Sequence, residues 1–134
     1  MPSTPGSIEE QRHRVNAEDL VAVDMRSANW LCKTSLPETD VIDWSSWSAV
    51  ADDRGNHVAS QCREAVAGAE RLCRSGSIAQ QALAKNVRRI VCRGDARGDI
   101  HFELAGTALV VHTVLGATET AAKTQQWLYT NLKP

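Results

Sequence analysis

Residues 87–114 read VRRIVCRGDARGDIHFELAGTALVVHTV. Here the hydrophobic period changes from helical to alternating. Val87–Arg93, Asp99–Leu104 and Leu109–Val114 read as three strands, separated by turns at Gly94–Gly98 and around Gly106. Three successive strands joined by short turns predict an antiparallel meander. Its register must satisfy both faces at once. Pairing Cys92 with Ile100 sets Ile90 against Phe102 on one face. The other face then carries two opposite-charge cross-strand pairs, Arg93 with Asp99 and Arg89 with Glu103. Across the second hairpin, parity places Leu109 and Val111 beside Phe102 and Leu104. Helices are expected to cover the face made by Ile90, Cys92, Ile100, Phe102, Leu104, Leu109 and Val111. Arg89, Val91, Arg93, His101, Glu103, Val110, His112 and Val114 form the outer face.

Outward from this stretch the pattern is helical. Gly116 ends the sheet, and Thr118 or Thr120 caps a last helix that carries Ala121, Ala122, Leu128 and Leu132 on one side. Upstream, Val58, Cys62, Ala65, Val66, Ala69, Leu72 and Cys73 make one continuous stripe, which predicts a helix over Asn56–Arg74 with Gly76 as its stop. Ser77 with Gln80 matches the capping box of a short helix through Ile78, Ala82 and Leu83. Trp44, Trp47, Val50 and Ala51 recur at spacings of three and four and predict another short helix. Asn16 is placed to cap a first helix through Leu20, Val21, Ala28 and Leu31, ending near Cys32. Pro2, Pro5 and Gly6 make residues 1–15 a flexible leader. The expected architecture is α+β: N-terminal helices, a three-stranded antiparallel meander with helices packed on one face, and a C-terminal helix, in one domain over residues 16–134.

A chain of 134 residues, 43% hydrophobic and 23% charged, is long enough to close one core and ordinary in composition. A net charge of −1 argues against a general attraction to nucleic acid or to acidic membranes. No apolar run approaches the length of a membrane helix. The first residues have no apolar h-region, so the sequence as it stands favours a cytoplasmic location slightly. Four cysteines bear on the same point. Cys32, Cys62, Cys73 and Cys92 match no zinc or redox spacing. Cys62 and Cys73 on one helix lie about 16 Å apart along its axis, too far for a bridge. The alternatives are four buried thiols or two disulfides, each tying that helix to Cys32 or Cys92; paired cysteines point to export into the periplasm or the medium.

Few residues suggest chemistry. His101, Glu103 and His112 share the outer sheet face, with the two histidines opposite each other, and are the nearest approach to a metal or acid–base constellation. A solvated polar strand face, with Glu103 already paired with Arg89, explains them better, because the sequence supplies no evident cleft or nucleophile. Lys85, Arg88, Arg89, Arg93 and Arg97 make the first strand locally basic, but no aromatic residues interleave them for base stacking. Arg-Gly-Asp occurs twice, at 93–95 and 97–99, and resembles the integrin-recognition tripeptide; turn chemistry accounts for both. Trp30, Trp44 and Trp47 are three of the four tryptophans; their helical spacing favours core packing, and they are also the best candidate contact surface, with Asp24, Asp40, Asp43, Asp52 and Asp53 nearby. No phosphate loop, nucleophile elbow or metalloprotease motif is present, and no cofactor is implied. The sequence therefore reads as a small non-enzymatic module that binds a protein partner. A metal- or acid–base-dependent enzyme on the outer sheet face is the alternative, and anion or nucleic-acid binding through the basic first strand a third, weaker one. Oligomeric state is not readable from it.

Overall fold

In a computed structural model, residues 8–47, 56–95 and 98–133 are described. The fold is organised around one helix, α3 (Asn56–Cys73). Along it Val58, Ala59, Cys62, Ala65, Val66, Ala69, Leu72 and Cys73 are all buried. Small side chains let neighbours approach on several sides. A Cβ on Gly68 would overlap the Thr124 side chain and lie 2.8 Å from the Ala121 carbonyl oxygen, so α5 (Thr120–Asn131) packs backbone-close only because residue 68 is glycine. α1 (Ile8–Cys32) packs on another side through Ala17, Val21, Met25, Ala28 and Cys32. It is also tied by the Arg63 guanidinium, whose Nε donates to Asp24 Oδ2 at 2.7 Å. The described helices are completed by α2 (Trp44–Trp47) and α4 (Ser77–Asn86).

α1 begins at Ile8, well before the expected start at Asn16, so residues 8–15 are helical rather than part of a leader. Residues 1–7 lie outside the described residues, as do Val50, Ala51, Asp52, Asp53 and Arg97. α1 stops with Lys33 in the left-handed region (φ 58°) and the Thr34 N–H bonded back to the Asn29 carbonyl at 3.0 Å.

The sheet holds β1 (Arg89–Gly94), β2 (His101–Ala105) and β3 (Ala108–Thr113), in the order β1-β3-β2. It is mixed, not an antiparallel meander: β3 lies between the other two, antiparallel to β2 and parallel to β1. The β2–β3 hairpin has the expected register, with His101 opposite His112, Phe102 opposite Val111 and Leu104 opposite Leu109. The β1–β2 pairing does not exist. Cys92 faces Val111 rather than Ile100, and Ile90 faces Leu109 rather than Phe102. The pairs Arg89–Glu103 and Arg93–Asp99 are therefore not formed; Arg93 instead reaches Asp43 at 3.4 Å.

The physical reason lies in β3. Its run Leu109-Val110-Val111 is buried at all three positions, as suits a strand flanked on both edges. β2 carries His101 and Glu103 and tolerates an edge. The other edge of β1 is covered by the segment at Val41–Asp43: the Cys92 N–H donates to the Val41 carbonyl at 2.7 Å, and the Asp43 N–H to the Cys92 carbonyl at 3.0 Å.

The cysteines are paired as Cys32–Cys73 and Cys62–Cys92, with Cα–Cα distances of 5.2 and 5.5 Å. One bridge fastens the end of α3 to the end of α1; the other fastens its middle to β1. The loops they close span 41 and 30 residues. Each bridge is worth ~3–4 kcal/mol on the chain-entropy account.

A non-reducing peptide map is expected to yield the Cys32–Cys73 and Cys62–Cys92 linked peptides and no Cys62–Cys73 peptide. Replacing Cys62 and Cys92 together by Ala is expected to lower unfolding stability in urea by ~2–4 kcal/mol. A map with crossed pairing, or a double variant as stable as the parent, would contradict this arrangement.

Candidate functional site

Alternation along the three strands sends the predicted residues to the outer face in rows. Arg93, His112 and His101 make one row across the sheet, Val91, Val110 and Glu103 the next, and Arg89, Ala108 and Ala105 the third. The faces are thus as expected from period two, although the strand order is not. Ile100 departs from the pattern: it precedes β2 and lines a cleft instead of packing under the sheet.

The histidines make the most direct side-chain contact on this face. Their rings stack with centroids 4.0 Å apart and planes 7° from parallel. His112 Nε2 lies 3.0 Å from Glu103 Oε1, and His101 Nδ1 lies 3.1 Å from Asp95 Oδ2. The Asp95 side chain is only 7% exposed, against 56% for Glu103, so the two carboxylates are not equivalent. Asp95 is held where β1 leaves the sheet by its N–H, which donates to the Thr113 carbonyl at 2.8 Å. Sequence reasoning missed this residue, having read it as turn chemistry within the first Arg-Gly-Asp. In the structure that tripeptide is not displayed: Asp95 is buried against His101, and Arg93 is turned to Asp43.

This arrangement does not converge on a metal. Imidazole nitrogen lone pairs lie in the ring plane, so stacked, parallel rings direct them side by side instead of toward one tetrahedral centre. Among the described residues, no group of three or more His, Cys, Asp or Glu side chains is placed to hold an ion.

Beside His101 an open cleft of about 630 Å³ is lined by Gly98, Asp99, Ile100, His101, Val114, Gly116, Ala117, Thr118, Glu119 and Lys123. Behind its lining residue Ala117 lies a buried polar network that the sequence did not reveal. Gln61 Oε1 on α3 accepts from Thr113 Oγ1 at 3.0 Å and Thr120 Oγ1 at 2.7 Å, while its Nε2 donates to the Ala117 carbonyl at 2.8 Å. Each of these groups would cost ~1–3 kcal/mol if left buried without a partner. The network therefore fixes the β3–α5 connection against α3.

The tryptophans do not make one surface. Trp47 is 1% exposed and its Nε1–H donates to the Cys92 carbonyl at 3.3 Å, which is core packing. Trp44 is half-buried on α1, donating to Glu18 Oε1 at 3.1 Å beneath the Arg14 guanidinium. Trp30 stands alone at 84% exposure, twelve residues or about 18 Å along α1 from Glu18. The fourth, Trp127, stacks on Phe102 with centroids 5.7 Å apart. Of the basic residues, Arg88 and Arg89 are exposed and Arg93 is paired.

Zinc added in excess is expected to leave the ring signals of His101 and His112 in place in an NMR titration. Movement of both at equimolar metal would show that the rings unstack to bind it. No protein-family model, curated protein or solved structure matches the chain, so its functional reading rests on its own residues.

Proposed function

We propose that this chain is a non-enzymatic protein-binding module of an oxidising compartment, and that it takes an extended partner segment along β2. The observation that carries the reading is the state of that strand. β2 ends the sheet, and no described strand pairs with its outer side. Phe102 and Leu104, which face the core, are only partly buried, and Trp127 of α5 is partly buried beside them. An added strand would gain main-chain hydrogen bonds from the open edge and cover this apolar ledge. On the opposite face the stacked histidines, each against a carboxylate, already hold fixed conformations, which reduces the ordering cost of contact. The shortness of β2 and the charge of Glu103 discourage indiscriminate pairing and leave room for specificity. The two bridges support export, because disulfides persist in oxidising compartments and are reduced in the cytosol.

Selection of displayed random peptides on the oxidised protein tests this. Extended peptides are expected to emerge, and to shift and protect from exchange the amides of His101–Ala105, with weaker binding after Phe102→Ala. Selected peptides that perturb only helical amides, or no selected peptide at all, would count against the reading.

One observation favours a second reading. The buried Asp95 carboxylate against His101 at the rim of the cleft is an arrangement that can hold a general base, although Thr118 is the sole hydroxyl among the described lining residues. That reading expects turnover of a simple ester or phosphoester that is lost in His101→Asn. Equal rates with the parent and the variant would remove it.

A further inference from the structure

α1 buries one face and leaves a second apolar stripe on the other. Ile8 is 76% exposed, Val15 and Val23 are 54% exposed each, and Trp30 is 84% exposed. At 100° per residue these four fall within about 80° of arc, centred opposite the arc of Ala17, Val21, Met25, Ala28 and Cys32. Isolated exposed apolar residues need no explanation, but four in register along one solvent-facing helix surface do.

We propose that this stripe pairs with the same stripe of a second copy of the chain, the two α1 helices running antiparallel. The spacing names the partner. The intervals Ile8–Val15, Val15–Val23 and Val23–Trp30 are seven, eight and seven residues, and they read the same in both directions. Reversal about Asp19 therefore sets Ile8 against Trp30 of the second copy and Val15 against Val23, with each contact made twice, as a closed two-fold interface requires. A parallel pair or an unrelated partner needs no such symmetry.

The pitch also fits. Ile8 to Trp30 covers six turns in 22 residues, about 3.67 per turn, a period that calls for only a slight right-handed supercoil; on a straight helix the stripe drifts by about 40° over its whole length. That matters because α1 is fixed to α3 by the Cys32–Cys73 bridge and by Arg63–Asp24. The contact would run for about 33 Å. Two copies of the four side chains would cover on the order of 1,000–1,200 Å², the lower bound for a specific interface.

Arg12, Asp19 and Arg26 lie in the same stripe; the same reversal brings the two Asp19 carboxylates together at the axis and sets Arg12 against Arg26 of the second copy on either side of it. Arg26 is already engaged by Glu38 at 3.0 Å. The like-charge layers at Asp19 and at Arg12–Arg26, the latter eased by Glu38, make the dimer modest in affinity, and Asp19→Asn is expected to tighten it.

Sedimentation of the oxidised full chain across ~1–300 μM tests the proposal, with circular dichroism confirming that each variant folds. The parent is expected to move from 14.6 kDa toward twice that mass as concentration rises. Val15→Lys or Val23→Glu alone is expected to weaken the dimer tenfold or more, on the order seen for central interface residues. The double variant Val15→Lys with Val23→Glu is expected to restore it, since the antiparallel pair sets the opposite charges together, whereas a parallel pair would set like charges together. A monomer throughout the range, a dimer indifferent to both single changes, or a double variant weaker than either single one would overturn it.

Discussion

Everything in this fold is referred to α3, and the interaction that makes this so is the Cys62–Cys92 bridge. It joins the middle of the central helix to the middle of β1 and sets which face of the sheet is core. Cys92 also exchanges backbone hydrogen bonds with Val41 and Asp43 and accepts from the Trp47 indole. One residue thus locks α3, β1, the 41–43 segment and α2 together. Gln61, next to Cys62 in sequence, does the same for the far end of the sheet by binding Thr113, Thr120 and the Ala117 carbonyl. Adjacent residues on one helix anchor the edge strand β1 and the exit from the central strand β3. The sheet cannot slide on the helices without breaking both.

With the core face committed, the properties of the outer face follow from strand order. β3 takes the centre because its apolar run is worth most when flanked on both sides. Placing it there brings His112 between Arg93 and His101 in a single row, and leaves β2 on the rim. The stacked histidine pair is a consequence of that hairpin register. The Asp95–His101 contact depends instead on Asp95 being held beside the end of β3, where its N–H donates to the Thr113 carbonyl. A simple meander would have directed residues 94–98 into a tight turn, with Asp95 at its tip.

This marks what was legible in the sequence and what was not. Period two assigns each side chain to a face regardless of which strand is its neighbour, so Ile90, Cys92, Leu109 and Val111 went to the core and Arg93, His101, Glu103 and His112 to the outside as expected. Neighbour order is a non-local property, and sequence adjacency misled there; the continuous run Leu109–Val111 beside the polar HFEL of β2 was the available signal. The stripe on α3 was plain. Helix geometry removed Cys62–Cys73 as a bridge, but the choice between the two remaining pairings depended on which end of α3 meets α1. The start of α1 was obscured because Ile8 and Val15 face away from the core, so no periodicity toward the core marks residues 8–16. Of the candidate tryptophans, spacing alone could not separate the buried Trp47 from the exposed Trp30.

The two uncovered surfaces, the β2 edge and the outer stripe of α1, have a common origin in how the chain is stabilised. A domain of this size has a net stability of about 5–15 kcal/mol. Two bridges at ~3–4 kcal/mol each supply a share of comparable size without burying any further surface. Apolar residues that an unbridged domain would need inside can then remain outside. Phe102 and Leu104 at an open edge and Trp30 on a solvent-facing helix are such residues. Both surfaces also depend on the bridged state for their geometry. Cys62–Cys92 sets the sheet on α3 and with it the position of β2. Cys32–Cys73 fixes the end of α1 that carries Trp30. Reduction would therefore loosen both surfaces along with the core.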